Sequence, residues 1–312
     1  MKRRLFTFGC SLTRYMWPTW ATLLNFSDFD EVQNWGSPGI GNRAIAERIA
    51  ECNVKNKFTK NDTVIVQWSS HLRNDFFHQE GSLKDRFPGW KTSGSIFNFK
   101  NREIYNNSWY LSFFDEEAYI YHTLNYIHLV QQILSKSEAT WYMTSIGDIR
   151  NLGKDFESPA VYGEKSIFSN IKGLFDSKEF PLYKKTPALK IYEDAIWEEN
   201  KDKWIEPILS FLQKNIKNLN ELFYKFYDAE YQQVVTDFHP TPSAYYKWIT
   251  EILKPKVNFI IDDKKCLDLC NNINLTYNEI SIVPREVFEI KLSHKQFKDV
   301  QWPESELGFT IF

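Results

Sequence analysis

The amino-acid sequence predicts an α/β protein, a three-layer α/β/α sandwich in which helices cover both faces of a parallel sheet. Strand-like and helix-like segments alternate through the first third of the chain. The segment Asp62–Trp68 is β-branched and apolar enough for a buried parallel strand. Two earlier strand-like segments run into glycine-containing turns, and such turns lie at the edge of an open α/β sheet where functional sites form.

The predicted strands are separated by helix-like segments, as parallel pairing requires. Strands are predicted at Arg4–Phe8, at residues 31–35, at Asp62–Trp68 and at Thr140–Ser145. Helices are predicted at residues 17–26, 43–52, 115–134, 198–218, 219–227 and 242–254. The last helix has the clearest ends, because Thr241 fits an N-cap, Pro242 a first turn and Pro255 a stop.

The length of 312 residues corresponds to one large domain or about two ordinary ones. We assign residues 1–254 to the α/β domain. Two insertions are expected in it: about residues 76–114, which show no helical period, and residues 147–190, which are expected to form loops and short helices. Residues 255–312 are expected to form a C-terminal extension, mostly strand-like, whose role the sequence leaves open.

Charge and composition exclude several classes of protein. The balance of 38 Lys+Arg against 40 Asp+Glu argues against a nucleic-acid binder. No apolar run approaches the length of a membrane span, and the apolar stretch near the start is too short for a signal peptide. We therefore expect a cytoplasmic protein without a membrane partner. Four cysteines do not make a disulfide scaffold, and no metal site is expected.

The first candidate site follows the first strand, where residues 8–13 read Phe-Gly-Cys-Ser-Leu-Thr. A serine at this position can turn its hydroxyl toward a crevice while its backbone N–H faces a developing oxyanion. Ser11 is therefore a candidate nucleophile. An ordinary serine at the end of a strand is the alternative interpretation.

The second candidate site lies between a strand and a helix, where residues 34–42 read Asn-Trp-Gly-Ser-Pro-Gly-Ile-Gly-Asn. Glycines let a backbone N–H approach a ligand closely, and a helix N-terminus adds positive potential. The order of the glycines is not that of a dinucleotide fingerprint, and the Lys-Ser/Thr pair of a phosphate-binding loop is missing. A plain strand-to-helix turn is the alternative.

The third candidate site is residues 236–242, Thr-Asp-Phe-His-Pro-Thr-Pro. Asp237 precedes His239 by two residues, and two prolines restrict the backbone around them. Such a pair can supply a general base and the carboxylate that orients it. A helix entry with a solvated histidine is the alternative.

Together the three segments resemble the SGNH (GDSL-like) hydrolases. That family has Gly-Asp-Ser after the first strand, Asn-x-Gly-x-x-Gly after the second, Gly-x-Asn after the third, and Asp-x-x-His-Pro before the last helix. Here residues 9–11 are Gly-Cys-Ser, residues 34–39 fit the second block in full, and Asp237 precedes His239 and Pro240. The resemblance covers about residues 2–254 and implies a flavodoxin-like parallel sheet.

The resemblance implies a serine esterase that needs no cofactor. Ser11 would attack an ester carbonyl, His239 would accept its proton, and Asp237 would orient the imidazole. The oxyanion would be stabilised by the backbone N–H groups of Ser11 and Gly39, with His71 as a third donor. The expected substrate is a small-molecule or glycan ester, with removal of acetyl or other short acyl groups from a carbohydrate as the specific hypothesis. Further contacts with the substrate are expected from Asn34, Trp35, Arg73 and Asn74.

Two departures from the family pattern keep alternatives open. The third block reads Ser69-Ser70-His71, so His71 takes the place of the asparagine, and Asn74 is the alternative oxyanion donor. The last block is one residue short, so a backbone carbonyl or another acid is the alternative to Asp237. A catalytically inactive carbohydrate-binding or assembly protein and an O-acyltransferase are therefore the alternative functions. The oligomeric state is left open.

Overall fold

The computed structural model describes residues 2–78, 89–96, 105–147, 149, 186–228, 232–279 and 284–294. Its strands are β1 (Arg4–Phe8), β2 (Glu31–Asn34), β3 (Asp62–Trp68), β4 (Arg73–His78), β5 (Gly89–Ser95), β6 (Thr140–Ser145), β7 (Phe223–Asp228) and β8 (Gln233–Pro240). Its α-helices are α1 (Trp20–Leu23), α2 (Asn42–Asn56), α3 (Asn107–Phe113), α4 (Glu116–Lys136), α5 (Pro187–Glu199), α6 (Ile208–Asn215), α7 (Leu219–Leu222), α8 (Pro242–Trp248), α9 (Lys254–Val257), α10 (Asp263–Asn278) and α11 (Arg285–His294).

The central sheet is parallel, with strand order β2-β1-β3-β6. Strands β1 and β3 occupy its middle, where residues 64–66 of β3 are fully buried. Beyond β6 the backbone N–H of Ile205 donates to the Met143 carbonyl at 2.8 Å, and Trp204 forms a single parallel bridge with Met143. The prediction of an α/β protein with a parallel sheet is confirmed.

Helices connect the parallel strands and form two groups. Helix α2 packs against α4, and α4 packs against α5. Helix α8 packs against α1, α6 and α10. Side-chain caps fix where two of these helices begin: Asp115 accepts from the N–H groups of Glu117 and Ala118, and Thr241 accepts from that of Ala244. The arrangement is compatible with the predicted three-layer sandwich.

Strands β1, β3 and β6 have the predicted bounds, while the helix predicted at residues 17–26 is shorter. Pro18 precedes the N-cap residue Thr19, so α1 begins only at Trp20, and a 3₁₀ turn follows at Leu24–Phe26. The helix predicted to stop at Pro255 continues to Val257. A π-helical turn at Ile249–Leu253 lies just before Pro255. Proline lacks the backbone N–H that would continue the regular hydrogen-bond pattern of an α-helix.

The helix predicted at residues 219–227 is wrong beyond Leu222, because β7 begins at Phe223 and pairs antiparallel with β8. The aromatic residues of β7 suit a strand that packs on one face. The helix predicted at residues 198–218 is interrupted at residues 200–207, where a 3₁₀ turn and the bridge to β6 lie. The histidine segment forms the end of strand β8 and leads directly into helix α8, with Thr241 as the N-cap residue.

The C-terminal segment was predicted to be strand-like, and this is wrong, because its described part contains helices α10 and α11. Cys266, Cys270 and Ile273 lie on one face of α10 with helical spacing and are buried. A second hydrophobic cluster (Trp17, Tyr224, Phe226, Ile273, Phe288 and Leu292) joins the two helices to β7. All four cysteines of the chain are buried free thiols.

The two predicted insertions are described only in part. Strand β4 begins three residues before the first insertion and pairs antiparallel with β5 inside it, and helix α3 follows. Leu72, Ile96 and Tyr105 form a small hydrophobic cluster beside these elements. Most of the second, residues 150–185, lies outside the described residues, as does residue 148. None of the described helices combines the length and the apolar character that crossing a membrane demands.

Candidate active site

The turn after β1 places Ser11 at the carboxyl edge of the sheet. The Cys10 carbonyl accepts from the N–H groups of Thr13 at 2.9 Å and Arg14 at 3.1 Å, which closes the turn around Ser11. A Cβ at Gly9 would lie 2.1 Å from Thr13 Oγ1, and the φ of Gly9 is +156°. Position 9 therefore strongly favours glycine, because an added Cβ would clash with Thr13 unless the turn shifted.

His239 reaches the same edge from the opposite end of the chain. Strand β8 carries it, and the indole N–H of Trp17 donates to the Pro240 carbonyl at 2.9 Å, just beyond the histidine. The N–H of Thr241 donates to the Leu222 carbonyl at 2.9 Å. The end of β8 is thereby tied both to the segment after Ser11 and to the start of β7.

Ser11, His239 and Asp237 form one hydrogen-bonded chain. Ser11 Oγ lies 2.7 Å from His239 Nε2, and His239 Nδ1 lies 2.5 Å from Asp237 Oδ1. With the Nδ1 proton directed at the carboxylate, Nε2 carries the lone pair and accepts from the Ser11 hydroxyl. The separation of two residues along β8 brings both side chains to the same side of the strand, so the shortened motif still allows the contact.

The Asp237 carboxylate uses both of its oxygens. Oδ1 faces His239, and Oδ2 accepts from the Tyr15 hydroxyl at 2.7 Å and lies 3.5 Å from Arg285 Nη1. Burial by itself would raise the pKa of Asp237. The hydrogen bond and charge of His239, with smaller effects of Tyr15 and Arg285, outweigh burial and lower this pKa below its ordinary value. The carboxylate is therefore ionised at neutral pH.

The Tyr15 ring covers the imidazole of His239. Their ring centroids are 3.7 Å apart and their planes differ by 15°. Tyr15 also meets Trp17 edge-on, with ring centroids 4.6 Å apart. The imidazole plane is therefore fixed by a stacked ring as well as by the hydrogen bonds at its two nitrogens.

The turn after β2 is tied to the turn that carries Ser11. The Asn34 amide donates to the Thr13 carbonyl at 2.8 Å, and its oxygen accepts from the Gly36 N–H at 2.9 Å. The Ser37 N–H donates to the Gly9 carbonyl at 3.0 Å. Gly39 follows in the left-handed region at φ +78°. The two turns that contain Ser11 and Gly39 are thus connected by hydrogen bonds.

The turn after β3 places His71 in the protein interior. Its Nε2 lies 3.2 Å from Glu116 Oε1, and its Nδ1 has no partner within the described residues. If the Nε2 proton faces Glu116, a neutral imidazole presents a lone pair at Nδ1. His71 could then donate to an oxyanion only as the imidazolium. The alternative donor, Asn74, directs its amide to the Tyr119 hydroxyl at 2.8 Å.

The residues expected to contact substrate have structural partners. Trp35 is 2% exposed and stacks on Phe8, with ring centroids 6.1 Å apart. Arg73 Nη1 donates to the Ile40 carbonyl at 3.1 Å. Asn34 connects two turns, as described above. Contact of these side chains, and of Asn74, with a substrate stays a prediction.

Three residues at this edge were not predicted from the sequence. Tyr15 and Arg285 contact Asp237, and Asp75 accepts from the N–H groups of Gly41 at 2.7 Å and Ala44 at 3.0 Å, at the start of α2. Burial raises the pKa of Asp75, although these two N–H groups and nearby arginines oppose the rise. Only Tyr15 had a detectable signal, since it lies four residues after the candidate nucleophile.

Fold and site together define an α/β protein with a Ser–His–Asp arrangement at the carboxyl edge of a parallel sheet. Such an arrangement can deprotonate a serine hydroxyl as it attacks an electrophilic carbon. No protein-family model matches the chain, and no curated protein matches it. Among the described residues, no group of three His, Cys, Asp or Glu side chains is placed to hold a metal ion.

Proposed function

We propose that the protein is a serine ester hydrolase of the SGNH type, with Ser11 as nucleophile, His239 as general base and Asp237 as the group that orients the imidazole. The observation that carries the proposal is the continuous contact from Ser11 Oγ through both nitrogens of His239 to Asp237. Catalytic histidines of this kind take the proton from the serine and return it to the leaving group.

Three structural features support the proposal. The nucleophile lies at the carboxyl end of a central strand, where open α/β sheets bind their ligands. Strand order β2-β1-β3-β6, with one further parallel bridge beyond β6, is compatible with a flavodoxin-like sheet. The contact between His239 and Asp237 supports an active enzyme, since the shortened motif still forms the pair.

In the proposed reaction, Ser11 Oγ forms a bond to the ester carbonyl carbon while its proton passes to His239 Nε2. The tetrahedral oxyanion is stabilised by the backbone N–H groups of Ser11 and Gly39, with the imidazolium form of His71 as a further donor. The carbon–oxygen bond to the alcohol then breaks, and His239 returns the proton to that oxygen. Water then attacks the acyl-enzyme carbonyl with His239 as general base, and Ser11 is released with its proton restored. We propose an acetylated or otherwise short-acylated carbohydrate as substrate.

Labelling with a fluorophosphonate tests this function. We expect the probe to label the wild type and the control variant Ser210→Ala, whose serine lies on helix α6, but not Ser11→Ala. Labelling of Ser11→Ala would show that another residue is the nucleophile. Failure to label folded wild type would favour the inactive carbohydrate-binding protein.

A second measurement separates hydrolysis from acyl transfer. Release of acetate from an acetylated sugar is measured with and without a second sugar as acceptor. We expect the rate of acetate release to be unaffected by the acceptor. Loss of free acetate in favour of an acylated acceptor would identify an O-acyltransferase with the same serine.

A further inference from the structure

Two residues from distant parts of the chain meet on the oxygen of Asp237 that does not contact His239. Tyr15 donates its hydroxyl proton to Oδ2 at 2.7 Å, and Arg285 Nη1 lies 3.5 Å from the same oxygen. Arg285 also donates from Nη2 to the Tyr15 hydroxyl oxygen. Tyr15, Asp237 and Arg285 therefore form a closed triangle of contacts behind the histidine.

The direction of each proton in this triangle follows from the donors available. A guanidinium only donates, so the Tyr15 oxygen is the acceptor in its bond with Arg285. The one hydroxyl proton of Tyr15 is then left for Asp237. The guanidinium carbon lies 5.6 Å from the Tyr15 ring centroid, on the hydroxyl side of the ring. Arg285 thus orients Tyr15 through its hydroxyl group.

The position of Arg285 depends on the C-terminal segment. Arg285 is the first residue of α11, and the preceding Pro284 forms a bridge with Tyr227 of β7. Phe288, one turn further on, is fully buried against Trp17, with ring centroids 6.1 Å apart. Docking of α11 on Trp17 therefore brings the guanidinium to the back of the site.

We propose that Tyr15 and Arg285 are positioning residues of the Ser11 site, with Arg285 aligning Tyr15, and Tyr15 fixing both the Asp237 carboxylate and the plane of His239. This inference rests on the proposed function of Ser11. It extends the site to the C-terminal segment, because Arg285 acts from α11. Both residues act through Asp237 and His239.

Steady-state kinetics on an ester substrate tests the proposal. We expect Tyr15→Phe, which keeps the stacked ring and removes the hydroxyl, to lower kcat about tenfold with KM unchanged. Tyr15→Ala should lower kcat further, and Arg285→Ala several-fold. Arg285→Lys should recover most of the loss, because it restores a cationic donor. The matched controls are Tyr142→Phe on β6 and Glu286→Ala, the residue next to Arg285 on α11.

The outcomes separate this inference from the proposed function. If Ser11→Ala abolishes hydrolysis while Tyr15→Phe and Arg285→Ala keep the wild-type kcat, the positioning role is wrong and the function stands. A fall in kcat that is accompanied in each variant by a matching loss of thermal stability would also overturn the positioning role, since a structural role explains both changes. If wild type hydrolyses no ester, the proposed function fails.

A proton NMR spectrum tests the positioning role of Tyr15 and Arg285 without any measurement of activity. The Nδ1 proton of His239, identified by its loss in Asp237→Asn, should shift in Tyr15→Phe and in Arg285→Ala relative to the wild type. An unchanged resonance in both variants would contradict the proposal.

Discussion

Tyr15 lies flat against the imidazole of His239, with ring centroids 3.7 Å apart and planes 15° apart. The same tyrosine donates its hydroxyl to Asp237, the carboxylate that faces the histidine. One side chain therefore contacts both residues of the pair that Ser11 depends on. Because Tyr15 belongs to the segment that follows Ser11, displacement of that segment would change the nucleophile and its base together.

Replacement of Asp237 by asparagine tests the role of the carboxylate. An amide keeps the shape of the side chain, but it cannot stabilise the imidazolium, and its NH₂ group favours the wrong tautomer of His239. We expect Asp237→Asn to lower kcat by about 10⁴, the loss seen when the aspartate of a serine protease is replaced in this way. KM should stay close to that of the wild type. A wild-type kcat would show that another group orients the imidazole.

The ion pair of the half-buried Arg4 with the buried Asp62 predicts a pH dependence of stability. Arg4 Nε and Nη2 each donate to one oxygen of Asp62 at 2.7 Å. Burial would raise the pKa of Asp62, but Arg4 and the Thr59 N–H and hydroxyl lower it below its ordinary value of 3.8. A carboxyl with a depressed pKa stabilises the folded state above that ordinary value, and the contribution is lost as the pH falls through the folded pKa.

We therefore expect Asp62→Asn to reduce the free energy of unfolding by roughly 3 kcal/mol at pH 7. The difference from the wild type should be constant down to about pH 5 and should shrink below about pH 4. Urea unfolding across this pH range measures it. Asp268→Asn, on the exposed side of α10, serves as control. A difference that does not change with pH would contradict an ionic role for Asp62.

Substitution of Gly9 tests the close approach beneath the nucleophile turn. The new Cβ of Gly9→Ala would lie 2.1 Å from Thr13 Oγ1 and 3.0 Å from the Gln67 carbonyl oxygen. We expect a loss of about 1–3 kcal/mol in the free energy of unfolding, with reduced labelling of Ser11. Gly94→Ala is the comparison, because it has φ +66° but no atom within 4 Å of the added Cβ.

Because only backbone strain acts at position 94, we expect Gly94→Ala to lower the free energy of unfolding by about 1 kcal/mol. The labelling of Ser11 should stay at the wild-type rate. Equal effects of the two substitutions on labelling would show that contact with Thr13 is unimportant. Chemical unfolding and the rate of probe labelling provide the two readouts.

Phe288→Ala tests how firmly α11 is docked. The Phe288 side chain is fully buried in the second hydrophobic cluster, whereas Val287, beside it, is 40% exposed. Removal of a buried phenyl ring commonly costs about 3–5 kcal/mol. We expect Phe288→Ala to increase amide hydrogen exchange in α11 relative to α2, and Val287→Ala to leave it unchanged. Exchange that rises equally in both helices would indicate global destabilisation.

His71→Ala tests the third oxyanion donor. Loss of one such donor typically lowers kcat by about 10²–10³. We expect a fall of about 10² with little change in KM, and His71→Asn to retain more activity, because an amide N–H is a donor in every protonation state. A wild-type kcat in His71→Ala would exclude the role. Glu116→Gln provides a control for the contact at Nε2.

The sequence predicted the parallel strands better than the segments around them. The apolar, β-branched residues of β3 specify a buried strand in almost any context, and its predicted bounds were correct. Residues 223–227 were predicted to be helical because their aromatic pattern is ambiguous without a partner, and pairing with β8 made them a strand. Helix α10 was missed although Cys266, Cys270 and Ile273 carry helical spacing.

The candidate site was predictable to a similar extent. Ser11 and His239 stand out because short motifs with glycine and proline mark them. Whether Asp237 reaches His239 could not be predicted, because the distance depends on the conformation of β8, which its pairing with β7 sets. Arg285 carries no motif, since its contact with Asp237 arises from the packing of α11.

By itself, the sequence determined the chemical groups and the local turns: a serine after the first strand, a histidine followed by two prolines, and a neighbouring aspartate. These depend on residues close together in the chain, where backbone preferences act directly. The tertiary structure alone decided that Ser11 and His239, 228 residues apart, lie 2.7 Å from each other, and that Tyr15 and Arg285 meet behind them. Those distances follow from burial of apolar surface summed over many distant residues, which no local pattern encodes.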